Sequence, residues 1–162
     1  MNNYGKYIFF DVDGVLSAPC YYDEKNKEYC IGFDDDTWHE FLASYKEDAY
    51  KDCKAIDIMY RFIDCLEEDV NRYVLSSVEN KDEANAKIKF LDNQYPDLFK
   101  AYYFVKTDDE KIKHIIDFAA ENDIDIKDCT LVDDTYMLLL KAHNNGIRAI
   151  HIANILADNI TK

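Results

Sequence analysis

Glycine and proline are scarce in this 162-residue chain, at four and two residues, so neither a flexible linker nor a loop-rich scaffold has the punctuation it needs. Positive charge is short as well. Nineteen Lys and Arg stand against 33 Asp and Glu, and the formal net charge of -14 argues against general binding to nucleic acid or to an anionic membrane surface. The cysteines Cys20, Cys30, Cys53, Cys65 and Cys129 are odd in number and include no Cys-x-x-Cys pair. They predict reduced thiols, with neither a disulfide framework nor a zinc site. No apolar run approaches a membrane span, and residues 1–6 lack the hydrophobic region of a secretory signal, so a cytoplasmic protein is expected. The four histidines form no HExxH pattern, and there is neither a Walker-type glycine loop nor a GxGxxG. Zinc proteolysis and those routes to nucleotide binding are therefore unsupported.

Apolar side chains, by contrast, are plentiful: 48% of the residues are hydrophobic, enough for one domain over 1–162 with a sizeable core. The run Tyr7-Ile8-Phe9-Phe10 ends abruptly in Asp11-Val12-Asp13-Gly14. It reads as a parallel-sheet strand covered on both faces, delivering acids to the edge where ligands gather in such sheets. If period-two alternation continues past the strand, Asp11 and Asp13 share one face and Val12 points into packing. Two adjacent carboxylates repel unless a cation neutralises them, and Mg2+, a hard ion that takes carboxylates, waters and phosphate oxygens, suits the need. Gly14 lets the backbone turn tightly there.

Residues 17–54, rich in Tyr and charge, form an excursion and then a helix, with Pro19 and the acid run at 34–36 read as loop and N-cap. Residues 55–68 place Ile56, Met59, Phe62, Ile63 and Leu66 on one helical face. A short strand at 73–75 ends in Ser76-Ser77, a less apolar helix covers 81–93, and a third strand covers 101–105. A helix at 109–122, capped by Thr107 or Asp108, aligns Ile112, Ile115, Ile116 and Ala119. The strand 129–132 ends in Asp133-Asp134, a helix runs over 135–145 to a stop at Gly146, and a strand at 147–152 precedes a terminal helix at 153–160. The alternation implies an α/β, Rossmann-like three-layer sandwich around a parallel sheet of about five strands, with 17–54 inserted after the first.

In such a sheet the strand ends at Asp11/Asp13, Ser76 and Asp133/Asp134 open on one edge, and Lys111 adds a cation one turn into a helix, against its dipole. These four ordered motifs, Asp11-Val12-Asp13-Gly14-Val15, Ser76, Lys111 and Asp133-Asp134, resemble those of the haloacid dehalogenase-like hydrolases, and the likeness spans nearly the whole chain. The resemblance implies Asp11 as a nucleophile that forms an aspartyl-phosphate and Asp13 as general acid and then base. It implies that Ser76 hydrogen-bonds the phosphoryl group and that Lys111 neutralises it. Ser77 and Lys106 are the alternatives for these two. Mg2+ would be held by Asp134, the Asp11 side chain and the Asp13 main-chain carbonyl, with Asp133 in support directly or through water. Many members carry Gly-Asp-x-x-x-Asp at the last motif, whereas here Leu138 stands fourth after Asp134 and the adjacent-acid variant applies.

An acid at position 13 favours phosphate esters over dehalogenation. The resemblance thus implies a Mg2+-dependent phosphatase of a small phosphorylated molecule, the insertion forming a small cap in which Tyr21, Tyr22 and Trp38 contact the leaving group. A phosphomutase or phosphotransferase, and a non-catalytic phosphate- or partner-binding protein, are the competing readings.

Overall fold

Because both of its faces are apolar, the run after Lys6 becomes β1 (Tyr7–Phe10), the central strand of a five-stranded parallel sheet. Ile8 and Phe10 enter one core and Phe9 the other, and all three are fully buried. The computed structural model describes residues 4–18, 21–25, 27–30 and 35–160. Pro19, Cys20 and Asp34, named in the sequence reading, lie outside them.

After β1 the chain makes its excursion through β2 (Ser17–Ala18), a hairpin of β3 (Tyr21–Asp23) and β4 (Glu28–Cys30), α1 (Asp35–Tyr45) and β5 (Lys54–Ala55), which returns antiparallel to β2. α2 (Asp57–Asp64), β6 (Asn71–Ser77), α3 (Lys81–Gln94), β7 (Ala101–Val105) and α4 (Asp108–Glu121) follow. β8 (Cys129–Asp133), α5 (Tyr136–Asn144), β9 (Arg148–His151) and α6 (Ile152–Ile160) complete the order. The sheet runs β7-β6-β1-β8-β9, so the strand order reverses at β1 and the crevice for a ligand opens beyond its carboxyl end.

Two apolar cores sandwich the sheet. α4 and α5 bury Ile112, Ile115, Ala119, Leu138, Leu139 and Ala142 against Phe9, Leu75 and Leu131. On the other face α2, α3 and α6 bury Met59, Ile63, Ala86, Phe90, Leu91 and Ile155 against Phe10, Val74 and Val132. This is the expected three-layer α/β arrangement. Asn80 caps α3 by accepting from the Glu83 N–H at 3.0 Å, and Thr107 caps α4 by accepting from Glu110 at 3.3 Å.

Two elements differ from the sequence reading by more than one residue. β6 starts at Asn71, because Asn71 N–H donates to the Lys6 carbonyl at 2.8 Å and extends a ladder that its polar first residues do not advertise. α2 is shorter than 55–68, since Ala55 is taken by β5 and the helix ends at Asp64.

The excursion shares the α3-side core: Tyr21, Phe41, Leu42, Ala49, Tyr50 and Cys53 belong to the same buried cluster as Phe90. Tyr95, fully buried on the loop after α3, fastens the two ends of the excursion. Its hydroxyl donates to the Leu16 carbonyl at 2.6 Å and accepts from Ile56 N–H at 3.2 Å. Cys53, Cys65 and Cys129 are free thiols. Among the described residues no helix is long and apolar enough to cross a membrane.

Candidate active site

Strand alternation sorts the polar residues beyond the sheet edge. Asp11 follows Phe9 by two positions and Asp133 follows Leu131 by two, so both carboxylates lie on the α4 face. The N–H of Asp11 donates to the Val132 carbonyl at 3.0 Å, which keeps the two strand ends in step. Lys111, from the inward stripe of α4, is 1% exposed and brings its ammonium to 3.2 Å from Asp11 Oδ1, 3.0 Å from Asp133 Oδ2 and 3.2 Å from Asp108 Oδ1. Burial opposes its charge, but Asp11, Asp133 and Asp108 outweigh that and raise its pKa. Asp11 is under the opposite stress. Burial first, then the charges of Asp133 and Asp13, push its carboxyl up to about 6 against the pull of Lys111.

Asp134 completes the group. One carboxylate oxygen from each of Asp11, Asp133 and Asp134 lies within 4.8 Å of the others. Gly14, at φ +74°, passes so close to Asp134 that a Cβ there would push its carboxylate aside, so the backbone conformation calls for glycine and its lack of a side chain leaves that acid in place. Asp133 is engaged on both oxygens, one taking Thr135 N–H at 2.8 Å and the other Lys111 at 3.0 Å. Asp134 is the more open acid, and burial together with Asp133 raises its pKa. His151, paired with Asp133 in the β8–β9 register, holds this loop from beneath. Its Nδ1 accepts from Ala153 N–H at 3.1 Å, so the proton sits on Nε2, which donates to the Asp134 carbonyl at 3.0 Å.

Three carboxylates facing one ammonium leave excess negative charge, and Asp11 Oδ1, although 3.2 Å from the Lys111 ammonium, makes no hydrogen bond among the described residues. An all-oxygen, anionic donor set with an under-satisfied acid fits a hard divalent cation such as Mg2+.

Asp13, close enough for its charge to act on Asp11, turns its carboxylate toward α3 and the excursion. Strand β1 ends at Phe10, and the Val12 carbonyl collects the N–H groups of Leu16 and Ser17 at 2.9 and 2.8 Å in a tight turn. Alternation therefore does not reach Asp13: it does not share the face of Asp11, which corrects the sequence expectation. Its Oδ2 meets Lys87 of α3 at 2.8 Å, and its Oδ1 accepts from the Tyr50 hydroxyl at 2.7 Å and the Tyr21 hydroxyl at 3.2 Å. Burial alone would raise its pKa, but Lys87 and the two hydroxyls hold it below the usual carboxylate range.

The two serines divide accordingly. Ser76, two positions after Val74, lies on the α3 face, where its Oγ accepts from Lys87 at 3.0 Å; Ser77, two after Leu75, lies on the α4 face and donates to Asp108 at 3.3 Å. Lys106 stays outside, its ammonium on the Glu79 carbonyl at 2.8 Å. Tyr21 and Trp38 pack within the excursion with ring centroids 5.0 Å apart and planes tilted by 54°, beside Phe41 and Tyr50, so Tyr21 meets Asp13 and its own aromatic neighbours. Sequence reasoning missed Lys87, Tyr50 and His151. Only Lys87 had a local signal, because with Glu83 it occupies the inward stripe of α3 that Ala86, Phe90 and Leu91 define.

No family model matches the chain, and no curated protein does. Solved structures do. A haloacid dehalogenase-like family hydrolase from Streptococcus pneumoniae aligns with 97% of this chain and 91% of its own, at 16% identity and a TM-score of 0.63. A haloacid dehalogenase (HAD) family enzyme from Bacteroides thetaiotaomicron, crystallised with magnesium and inorganic phosphate, covers 90% of this chain and 93% of its own at 18% identity and a TM-score of 0.57. A HAD-superfamily hydrolase from Geobacter sulfurreducens covers 89% and 87%, at 12% identity and a TM-score of 0.58. At these identities the likeness is one of fold, and the chain has the haloacid dehalogenase-like fold.

Proposed function

We propose, from the premise of this fold, that the protein is a Mg2+-dependent phosphatase that hydrolyses a small phosphorylated molecule through an aspartyl-phosphate on Asp11. The observation that carries the reading is the cluster at the carboxyl end of β1: Asp11 is 3.2 Å from buried Lys111 and within 4.8 Å of Asp133 and Asp134. A buried carboxylate beside a fixed ammonium and a cluster of acids able to hold a hard cation is what in-line attack on phosphorus needs.

Asp11 and Asp134 would hold the ion, with the Asp13 main-chain carbonyl, while Asp133, engaged by Lys111 and Thr135, orients the pair. When bound, Mg2+ supplies countercharge to phosphoryl oxygens. Lys111 keeps Asp11 ionised for attack and faces the charge of the transferring group. Asp11 forms the new O–P bond as the bond from phosphorus to the leaving oxygen breaks, and Asp13, ionised at rest, relays to that oxygen the proton of the monoprotonated ester phosphate. Asp13 then takes a proton from water as the water attacks phosphorus and releases Asp11 with inorganic phosphate. Ser77, on the Asp11 face, and Ser76, reached through Lys87, are the candidates for donating to a phosphoryl oxygen. Residues 17–54 act as a small cap.

A panel of sugar, nucleoside, glycerol and aryl phosphates, assayed with Mg2+ and with chelator, tests the reading. Mg2+-dependent phosphate release that disappears in Asp11→Asn is the expected result. Undiminished activity in that variant, or no release from any ester, would overturn it.

A further inference from the structure

Lys87 lies outside the four motifs, yet it is as inaccessible as Lys111, at 1% exposure. Its ammonium has oxygens at 2.8 Å (Asp13 Oδ2), 3.1 Å (Glu83 Oε1), 3.0 Å (Ser76 Oγ) and 2.7 Å (Ser77 carbonyl). An ammonium has three protons, so every one is spoken for and none is left to reach a substrate. Glu83, one turn earlier on α3, is anchored in turn by accepting the Glu79 N–H at 2.7 Å on its other oxygen. Tyr50 and Tyr21 approach the opposite Asp13 oxygen at 2.7 and 3.2 Å, and both come from the excursion. Three donors from two independent elements thus fix both oxygens of one carboxylate.

We propose that Lys87 is a positioning residue for Asp13, acting with Tyr50 and Tyr21, so that α3 and the excursion together aim the group that exchanges protons with the leaving oxygen and with water. This rests on the phosphatase reading above. A buried ion pair is weak evidence of a purely stabilising role, because apolar residues of similar volume commonly serve as well. What a packed apolar stripe cannot supply is direction at a carboxylate, and proton transfer demands placement within hydrogen-bond reach of the reacting oxygen. Lys87 supplies direction from α3, and the two hydroxyls supply it from the excursion.

The test is a double-mutant cycle on the full chain with p-nitrophenyl phosphate and Mg2+, crossing Lys87→Met with Asp13→Asn. Lys87→Met is expected to lower kcat by about 10- to 100-fold with KM within about threefold, and to change kcat less than about twofold when Asp13→Asn is already present, since groups that act as a unit are non-additive. Binding of beryllium fluoride with Mg2+, which reads the Asp11 side only, should stay within about threefold of wild type. Equal losses in both backgrounds, or loss of beryllium fluoride binding in Lys87→Met, would overturn the positioning role. If Lys87→Met does not fold, Tyr50→Phe, which deletes one oxygen from a packed ring, is crossed with Asp13→Asn in the same way. There about a threefold to tenfold loss confined to the Asp13 background is expected, and an equal loss in both overturns the role. A wild-type protein that releases no phosphate ends the phosphatase reading and this inference together, whereas active wild type with additive losses removes this inference alone.

Discussion

Lys111 and Lys87 stand on opposite faces of one sheet, each 1% exposed and each set among carboxylates, yet their surroundings differ in charge balance. Around Lys111 are Asp11, Asp133 and Asp108, with Asp134 beside them, and among the described residues Asp11 Oδ1 has the ammonium's charge at 3.2 Å but no hydrogen bond. Around Lys87 are Asp13 and Glu83, with the Tyr50 hydroxyl completing what the ammonium leaves. The pKa directions record the difference. Burial with neighbouring acids raises Asp11, whereas Lys87 and the hydroxyls lower Asp13 against its burial. An under-neutralised cluster is built to receive a cation and an electrophile; one nearer to balance, with two acids on one ammonium, is built to hold a side chain still.

The largest expected effect is that of Lys111→Met. Removing it leaves Asp11 and Asp133 buried without their countercharge, a loss of about 3–5 kcal/mol of stability, together with loss of turnover. Millimolar Mg2+ should recover much of that stability by restoring positive charge at the same acids. Thermal unfolding with and without Mg2+ checks this, and a melting temperature that ignores the ion would break the comparison. Lys87→Met should cost somewhat less, about 3 kcal/mol, since Asp13 is partly exposed and can recover water. Here Mg2+ should add only the stabilisation it gives wild type, because its site at Asp11, Asp133 and Asp134 is intact and Lys87 is not part of it.

The next effect is one of pH. Asp11 titrates at about 6 in the fold, above the ordinary value of 3.8, so its ionisation opposes folding. The stability tied to it is fully present below the unfolded value and is lost as pH rises through about 6. Mg2+ needs the ionised form. Its affinity should therefore rise about tenfold per pH unit below 6, more steeply where Asp134, also raised, titrates with it, and level off above 7. Isothermal titration across that range would show it, and a flat profile would contradict the raised Asp11. Tyr95→Phe touches neither lysine. It removes the hydroxyl that joins Leu16 to Ile56 and should cost about 1–2 kcal/mol in denaturant unfolding, with Mg2+ affinity unchanged.

How far the sequence could be read follows the same divide. β1, the strand ends at Asp11 and Asp133, and the inward-facing Lys111 all lie on regular elements whose periodicity carries past their last residue. Asp13 does not: the turn at Val12 ends the alternation, and the face it meets is decided by Gly14 and by tertiary packing. Lys87 sits in a helix with many polar residues, where a lysine reads as solvated until Ala86, Phe90 and Leu91 fix the inward stripe. Tyr50 and Tyr21 reach Asp13 from an excursion with no repeating pattern, and His151 reaches the Asp134 carbonyl from a neighbouring strand, so only the three-dimensional register brings them in.

The most direct test of the central claim is 19F NMR of beryllium fluoride added with Mg2+, because the trifluoride mimics a phosphoryl group on a carboxylate and needs no substrate. The account predicts bound fluoride resonances in wild type that require Mg2+, vanish in Asp11→Asn and persist in Lys87→Met. Bound resonances that survive Asp11→Asn, or that form equally well without Mg2+, would contradict it.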